Sequence, residues 1–281
     1  MPELPEVETI ACTLRQGVNG LPGLPGLTIS HADVLWEKTL ATPTVQLFQQ
    51  GISHLTIQTV SRRGKFLVID VSPFCLLVHL RMTGDLRLEL ETAPLLKHDR
   101  IILHFTNNSR LVFNDTRKFG RMWFIAAPEE ILGQLGPEPL DEKLDGDTFY
   151  TMIHSKKTQL KPLLLDQTFL AGLGNIYTDE SLFAARLHPY TRANTITLVQ
   201  ANQLLAAIRT VLQDGIEKNG ASIDWVYRGG DFQNHFKVYQ RNGKPCLNCG
   251  TPISRVIIGQ RGTHFCPVCQ PDPLIREGRH V

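Results

Sequence analysis

The chain has 281 residues, of which 42% are hydrophobic and 20% charged, and its net charge is +2. This length fits about two domains, and the balance is that of a globular protein rather than a disordered one. No apolar run reaches the roughly 18 residues of a membrane-spanning helix, and the N-terminus lacks the basic start and apolar core of a secretory signal. We therefore expect a cytoplasmic protein whose cysteines stay reduced.

The N-terminal segment MPELPEVETI predicts a helix over residues 5–17, because Pro5 suits a first turn and Gly17 suits a helix end. Pro2 and Glu3, just before it, allow two interpretations. They can form an acidic start to the helix, where its dipole favours negative charge. Alternatively, removal of Met1 leaves Pro2 as a free secondary amine. An α-amino group has a pKa of about 7.7–8.0, so it is a usable nucleophile near neutral pH, with Glu3 beside it to move protons.

From about residue 27 to 125 the chain consists of β-rich runs separated by turn residues, and NNSR between two of them predicts a hairpin turn. Consecutive antiparallel strands favour a β-sandwich or barrel. A segment rich in Pro, Gly and Glu follows, and apolar spacing then predicts helices over 144–220. We place the domains at 1–130, 144–235 and 236–281, with a linker at 131–143.

Several basic and apolar side chains stand together at the predicted strand ends. SRRGKF carries Lys65, HLRMTG carries His79 and Met82, and NDTRKFG carries Arg117 and Phe119. Met and Phe are more often core residues. Beside arginine in polar turns, they can instead be wedges that unstack DNA bases, as an enzyme acting on a base requires.

The helical region contains a candidate phosphate site. GLGNIYTDESLF places two glycines and Asn175, a favoured N-cap residue type, before a helix whose N-terminus can bind an anion. A capped helix after a glycine turn is the simpler interpretation. Lys156, Lys157 and Lys161, just upstream, form a basic cluster that favours phosphate.

Four cysteines near the C-terminus predict a zinc site. Cys246, Cys249, Cys266 and Cys269 form two C-x2-C pairs separated by sixteen residues, which is zinc-ligand spacing. Disulfides or unligated thiols are the alternative. SRVIIG and THFC between the pairs predict a β-hairpin with QRGT as its turn, and Arg261 at its tip can contact phosphate or simply be solvated. Residues 238–281 hold six basic and two acidic residues, a net of +4. Cys12 and Cys75 lie in apolar contexts and are expected to be small core residues.

These motifs occur together in one family. MPELPEVET, RRGKFL, HLRMTG, KHD, NDTRKFG, LGPEPL, LLLDQTFLAGLGNIYTDESLF and QRGTHFCPVCQ, in this order from Met1 to Gln270, resemble the formamidopyrimidine-DNA glycosylase (Fpg, MutM) family of DNA base-excision repair. The related endonuclease VIII branch typically begins with PEGPE, so PELPE here favours the branch that acts on purine lesions.

The resemblance implies an α+β fold of two domains: an N-terminal catalytic β-sandwich with flanking helices, and a helical helix-two-turns-helix domain with a zinc β-hairpin. It implies one structural Zn²⁺ and a monomer acting on damaged or abasic duplex DNA, associated with the nucleoid, in a cleft between two domains. The activity would be excision of 8-oxoguanine and formamidopyrimidines through a Schiff base at Pro2, followed by strand cleavage by β,δ-elimination.

Individual roles are also implied by the resemblance. Pro2 would be the nucleophile, Glu3 the acid/base beside it and Glu6 its support, with Lys65 assigned to β-elimination and Arg261 to δ-elimination. Met82, Arg117 and Phe119 would fill the gap left by the everted nucleotide. The remaining expected DNA contacts are His79, His98, Lys156, Lys161 and Asn175.

Two alternatives remain open from the sequence. The loop near 225–235, within DWVYRGGDFQNHF, is shorter than in many family members. Because that loop normally closes over the flipped base in the family, the lesion preference is open. An enzyme that favours oxidised pyrimidines is the alternative within the family. A non-catalytic zinc protein that binds kinked or damaged DNA is the alternative from another functional class.

Overall fold

The computed structural model describes residues 1–222 and 229–272. It divides into two compact units, one of Met1–Gln134 with Asn219–Gly230 and the other of Leu135–Lys218 with Asp231–Val281. Part of the lesion-facing loop expected near 225–235 therefore lies outside the described residues, which resume at Gly229. No described helix is both long and apolar enough to cross a membrane.

The helices of the described residues are α1 Leu4–Gln16, α2 Val45–Ile52, α3 Glu129–Leu132, α4 Gly146–His154, α5 Leu160–Leu165, α6 Asn175–Ala184 and α7 Leu198–Glu217, with short 3-10 turns at Glu37–Thr39, Ala193–Thr195 and Phe232–His235. The strands are β1 Gly17–Val18, β2 Leu21–Pro22, β3 Ile29–Val34, β4 Leu40–Thr42, β5 Thr59–Arg63, β6 Phe66–Val71, β7 Phe74–His79, β8 Gly84–Leu90, β9 Asp99–Phe105, β10 Ser109–Asp115, β11 Arg121–Ile125, β12 Ser254–Ile258 and β13 Arg261–Phe265.

The described residues of the N-terminal unit form two large sheets, which share a hydrophobic core, and the short two-stranded pair β1-β2. Four strands pair in the order β3-β9-β10-β8 and five in the order β4-β11-β7-β6-β5, with β4 and β11 parallel and the other pairs antiparallel. Both sheets contribute to the core, and α1 adds Val7, Ile10, Ala11 and Leu14, the apolar positions at helical spacing. Asn108 adopts φ +60 in the turn between β9 and β10, so the hairpin expected at NNSR is confirmed.

The second unit is helical and ends in a two-stranded hairpin. Helix α7 begins at a Thr197 cap, where the Thr197 Oγ1 accepts from Gln200 N, and it packs on α4 and α6. The hairpin strands β12 and β13 pair from Ser254–Phe265 to Ile258–Arg261. The α+β class with a β-sandwich, a helical region and a zinc hairpin is confirmed.

The hairpin turn differs from the expected QRGT. It consists of Gly259 and Gln260, with φ values of +53 and +63, and Arg261 is the first residue of β13. Two residues with positive φ give the turn whose twist matches a tight hairpin, and glycine adopts it without strain. Arg261 therefore takes part in strand pairing beside the turn.

Candidate active site and metal centre

The N-terminus is held by a buried carboxylate. Glu3 and Glu6 are 3% and 2% exposed, at the start of α1. The Glu6 Oε2 accepts from the Glu3 backbone N–H at 2.7 Å, and its Oε1 accepts from the Ala221 N–H at 2.7 Å. Pro2 is also buried, beneath an exposed Met1. The first residues of the chain thus have a fixed position, which a reacting amine requires.

Gly220 is required at its position by this arrangement. Its φ is +76, and a Cβ there would lie 2.7 Å from the Glu6 Oε1. Any larger residue would be strained and would push against the carboxylate that holds Glu3 and Ala221. The segment beginning at Asn219 is thereby fixed to the start of α1.

A salt-bridge network fixes α1 to the edge strand β5. Glu8 accepts from the Arg62 Nε at 2.9 Å and from the Arg15 Nη2 at 2.6 Å. Burial alone would raise the pKa of Glu8, but these two arginines outweigh burial and lower that pKa. Arg62 stands just before the β5–β6 turn, where Gly64 has φ +57 and Lys65 is 5% exposed. The contact brings the first turns of α1 and the turn of Lys65 to the same end of the unit.

His79 is the last residue of β7 and lies at this end of the five-stranded sheet. It pairs in register with Phe66 of β6 and Arg121 of β11, and its ring lies edge-on to that of Phe66 at 4.7 Å. Burial, then the charges of Arg81 and Lys65, lower the pKa of His79 from 6.5 to about 3. The ring is therefore neutral, and because its Nδ1 accepts from the Arg81 N–H at 3.0 Å, its Nε2 carries the proton. It can donate that hydrogen bond to an anion.

Two turns of the N-terminal unit carry the expected wedge residues. Met82 is half-buried in the β7–β8 turn, whereas Phe119 in the β10–β11 turn is 49% exposed and lies under the Arg117 guanidinium, 4.9 Å from its ring centroid. An exposed Phe stacked on a cation is available to other flat groups. Lys118, in the same turn, instead points back over the Trp36 ring at 3.7 Å.

Asp115 joins these two turns and is fully buried. Its carboxylate accepts from the Thr83 hydroxyl of the first turn, and from the Arg117 and Gly120 N–H groups of the second at 3.1 and 2.7 Å. Charge-assisted hydrogen bonds of this kind are about twice as strong as neutral ones. Asp115 lies within the NDTRKFG motif, but the sequence indicated no role for it.

His98 lies on the approach to β9 and is half-buried. Its Nδ1 is 3.2 Å from the Arg100 guanidinium, and its carbonyl accepts from the Asp115 N–H at 2.9 Å. His98 is therefore fixed to the same carboxylate-bearing residue as the wedge turns.

Cys246, Cys249, Cys266 and Cys269 form the metal centre of the second unit, with their sulfurs within 4.8 Å of one another. The Cys249–Cys266 and Cys246–Cys269 sulfur distances are 3.5 and 3.9 Å. Sulfurs about 2.3 Å from one tetrahedral Zn²⁺ lie about 3.8 Å apart, so the four residues fit this ion. Burial and the neighbouring cysteine sulfurs raise the pKa of Cys269 to about 12. Hydrogen bonds from Thr251, by contrast, lower the pKa of Cys249 to about 6. A bound cation favours the thiolate form of all four residues, and they hold one structural zinc.

The hairpin is attached to the N-terminal end of α6. The sequence suggests Asn175 as the N-cap of that helix. The structure instead places Gly174 at the cap position and Asn175 as the first residue of the helix. The Asn175 Nδ2 donates to the Gly262 carbonyl at 2.9 Å, next to the exposed Arg261. One amide N–H of Asn175 thus fixes the hairpin and leaves a second for a ligand.

Lys161 is placed differently from the expectation of a DNA contact. It is 0% exposed, and its ammonium group contacts the Asp179 Oδ1 at 2.6 Å and the Asn175 carbonyl at 3.1 Å. The other oxygen of Asp179 accepts from the His264 N–H on β13 at 2.8 Å. A buried ammonium group needs an anionic partner of this kind. Because Asp179 also binds the hairpin, Lys161 is positioned to stabilise the contact between α6 and the hairpin. Lys156 and Lys157 are exposed.

Glu180, next to Asp179 in α6, is another buried carboxylate with a structural role that the sequence does not indicate. Its carboxylate accepts from three successive N–H groups, those of Lys237, Val238 and Tyr239, at 2.8–2.9 Å. Burial nevertheless raises the pKa of Glu180. Asp179 and Glu180 were visible only as two acids in a helix, and nothing local indicated that they point inward.

Three family models match the chain in order. They describe the formamidopyrimidine-DNA glycosylase N-terminal domain over residues 1–122, its H2TH domain over 135–226, and a zinc finger found in FPG and IleRS over 243–271.

Named relatives match over nearly the full length. Formamidopyrimidine-DNA glycosylases of Protochlamydia amoebophila and Pelotomaculum thermopropionicum are 43% and 41% identical over 279 residues, which is 96% of this chain and 99% of theirs. A solved structure of the Lactococcus lactis enzyme with DNA containing an abasic site is 36% identical, with a TM-score of 0.86. A structure of MutM with DNA containing carbocyclic 8-oxo-G is 35% identical, with a TM-score of 0.88. Each covers 96% of this chain and 100% of the solved chain.

Proposed function

Because the chain belongs to the formamidopyrimidine-DNA glycosylase family, we propose that it removes oxidised purines from duplex DNA and cleaves the strand at the resulting abasic site. The observation that carries the proposal is the buried start of α1, where the Glu6 carboxylate fixes Glu3 directly after Pro2. A helix cap needs no such second contact with Ala221. As its substrate is DNA, the protein would work at the nucleoid.

The chemistry proposed for Pro2 begins after loss of Met1. The Pro2 nitrogen bonds to C1′ of the damaged nucleotide as the N-glycosidic bond breaks and the base leaves with a proton. Opening of the sugar then gives an iminium ion between Pro2 and C1′. Glu3, the adjacent carboxylate, is the group assigned to the proton transfers, and Glu6 keeps its backbone in place.

Strand cleavage follows from the iminium ion. Loss of a proton from C2′ breaks the C3′–O bond, which is β-elimination, and a second elimination breaks the C5′–O bond. Water then releases the sugar fragment and restores the Pro2 amine. We assign the first elimination to Lys65, which is at the same end of the N-terminal unit as Pro2, and the second to Arg261, with its exposed guanidinium beside the hairpin turn.

The remaining groups bind and distort DNA in this proposal. Met82, Arg117 and Phe119 fill the space of the everted nucleotide, since the two turns joined by Asp115 present an exposed Phe and a cation. The neutral His79 donates from Nε2 to a phosphate oxygen, and His98, Lys156 and Asn175 are further backbone contacts. Lys161 contributes through Asp179 and the hairpin rather than by direct contact.

Activity on duplexes of defined lesion tests the function. We expect cleavage of an 8-oxoguanine duplex with products of both eliminations, no cleavage of undamaged duplex, and loss of base release in Glu3→Gln but not in the exposed-site control Glu37→Gln. Faster cleavage of a thymine-glycol duplex would instead support the oxidised-pyrimidine alternative. Binding without cleavage of any lesion would support a non-catalytic DNA-binding protein.

A further inference from the structure

Two histidines and a carboxylate meet on one face of the four-stranded sheet. His31 of β3 pairs in register with His104 of β9, and their rings stack at 4.1 Å with planes 2° apart. Asp33 lies two residues along β3, on the same side as His31. The core residues Ala32 and Leu103 alternate with them, so the three side chains stand on the face turned away from the hydrophobic core.

Glu91 fixes the tautomer of His104. Both Glu91 carboxylate oxygens are 2.8 Å from the His104 Nδ1, and since an ionised carboxylate only accepts hydrogen bonds, Nδ1 carries a proton. The Nε2 of the same ring faces the Asp33 Oδ2 at 3.2 Å. A proton or a metal ion can occupy this position. A carboxylate behind a histidine is the arrangement that orients metal-binding histidines.

Ser30 fixes the tautomer of neutral His31 in the same sense. Its hydroxyl donates its single proton to the His104 carbonyl at 3.0 Å. It therefore accepts from the His31 Nδ1, which is 3.1 Å away. The lone pair of neutral His31 is thus on Nε2, as in His104 when that ring is neutral. Two imidazole nitrogens and one carboxylate oxygen are left as potential ligands.

Two of these ligand atoms already have the spacing of ligands on one metal ion, and the third lies close to them. One ligand atom each from His31, Asp33 and His104 lie within 4.8 Å of one another. Two atoms bound at about 2.1 Å to a tetrahedral or octahedral ion lie about 3.0–3.4 Å apart, and the His104–Asp33 distance of 3.2 Å is in that range. His31 is exposed, so its ring can tilt out of the stack to complete the set.

We propose that His31, Asp33 and His104 bind one Zn²⁺ ion, with Glu91 holding His104 and water completing the coordination. Two neutral imidazoles and a carboxylate suit zinc, and the open positions distinguish this site from the closed four-cysteine site. The ion would join neighbouring strands β3 and β9. The proposal is independent of the glycosylase chemistry, because none of its residues belongs to the proposed machinery.

Zinc content after dialysis of the intact protein against buffered Zn²⁺ tests the proposal. We expect two zinc ions per chain in the wild type and one in His31→Gln and in Asp33→Asn, whose side chains are exposed or half-exposed. Glu91→Gln should weaken binding of the second ion by about 10–100-fold. His54→Gln, which removes an exposed histidine of the same unit, is the control and should retain two.

Cadmium-113 NMR of the Cd²⁺-loaded protein identifies the ligands directly. We expect one resonance from thiolate ligands and one from nitrogen and oxygen ligands, and only the second should disappear in His31→Gln. One zinc per chain in the wild type at every zinc concentration would overturn the proposal. A second ion that persists in both His31→Gln and Asp33→Asn would overturn it as well.

Discussion

His79 should make the N-terminal unit lose stability in acid. Its pKa is about 3 in the folded protein, because the ring is buried and Arg81 and Lys65 are close, against an ordinary 6.5. Between these values the unfolded chain binds a proton that the folded chain does not. The free energy of unfolding must therefore fall as the pH drops through this window. Well above pH 6.5, His79 causes no such loss of stability.

The size of the effect follows from the two pKa values. Each pH unit inside the window changes the free energy of unfolding by about 1.4 kcal/mol. Lowering the pH from 7 to 5 enters the window by about 1.5 units, so His79 alone should cost about 2 kcal/mol. His79→Asn keeps an acceptor near the Arg81 N–H but does not titrate. From pH 7 to pH 5, the free energy of unfolding of this variant should therefore fall by about 2 kcal/mol less than that of the wild type.

Urea unfolding at pH 7 and pH 5 measures this difference, with His54→Asn as the exposed-histidine control. NMR of the ring measures the cause, since the Hε1 shift of His79 should stay constant from pH 8 to about 4.5. A ring that titrates near 6.5 would refute the reasoning. The same slope of stability with pH in wild type and His79→Asn would refute it independently.

Three further predictions concern the wedge turns and the zinc hairpin. Asp115→Asn places an amide donor among backbone donors and should cost about 1.5–3 kcal/mol in urea unfolding, with slower eversion of a fluorescent base analogue; wild-type values for both would contradict this. Zinc chelation should unfold the hairpin and weaken DNA binding, measured by circular dichroism and anisotropy; unchanged affinity would argue against the role of the metal. Arg261→Ala should reduce the slope of log affinity against log salt by about 1, whereas an equal change in Arg255→Ala, on the facing strand, would show that the contact is not specific.

Features with a local cause could be predicted from the sequence. The cysteine spacing determines the zinc site, and the alternation of strand residues and the turn at NNSR determine the sheets, because neighbouring residues control them. Helix α1 begins at Leu4, one residue before the predicted start, since Glu3 occupies the cap position.

Features that depend on distant contacts could not be predicted. In the sequence, Lys161 resembles a surface cation beside Lys156 and Lys157. In the structure it is buried, because it forms an ion pair with Asp179, eighteen residues further along the chain. Asp115 acquires its position from Thr83 of another hairpin, and Glu6 from Ala221. In each case the partner is far along the chain, so neither spacing nor periodicity indicates it.

The proposed function depends most directly on one covalent bond, between the nitrogen of Pro2 and the sugar. Borohydride reduction during reaction with an 8-oxoguanine duplex, followed by peptide mass mapping, tests it most directly. We expect one adduct, on the N-terminal peptide that begins at Pro2, and no adduct on the Pro2 nitrogen when an alanine is inserted between Met1 and Pro2. An adduct on a lysine, or no adduct during active cleavage, would contradict this expectation.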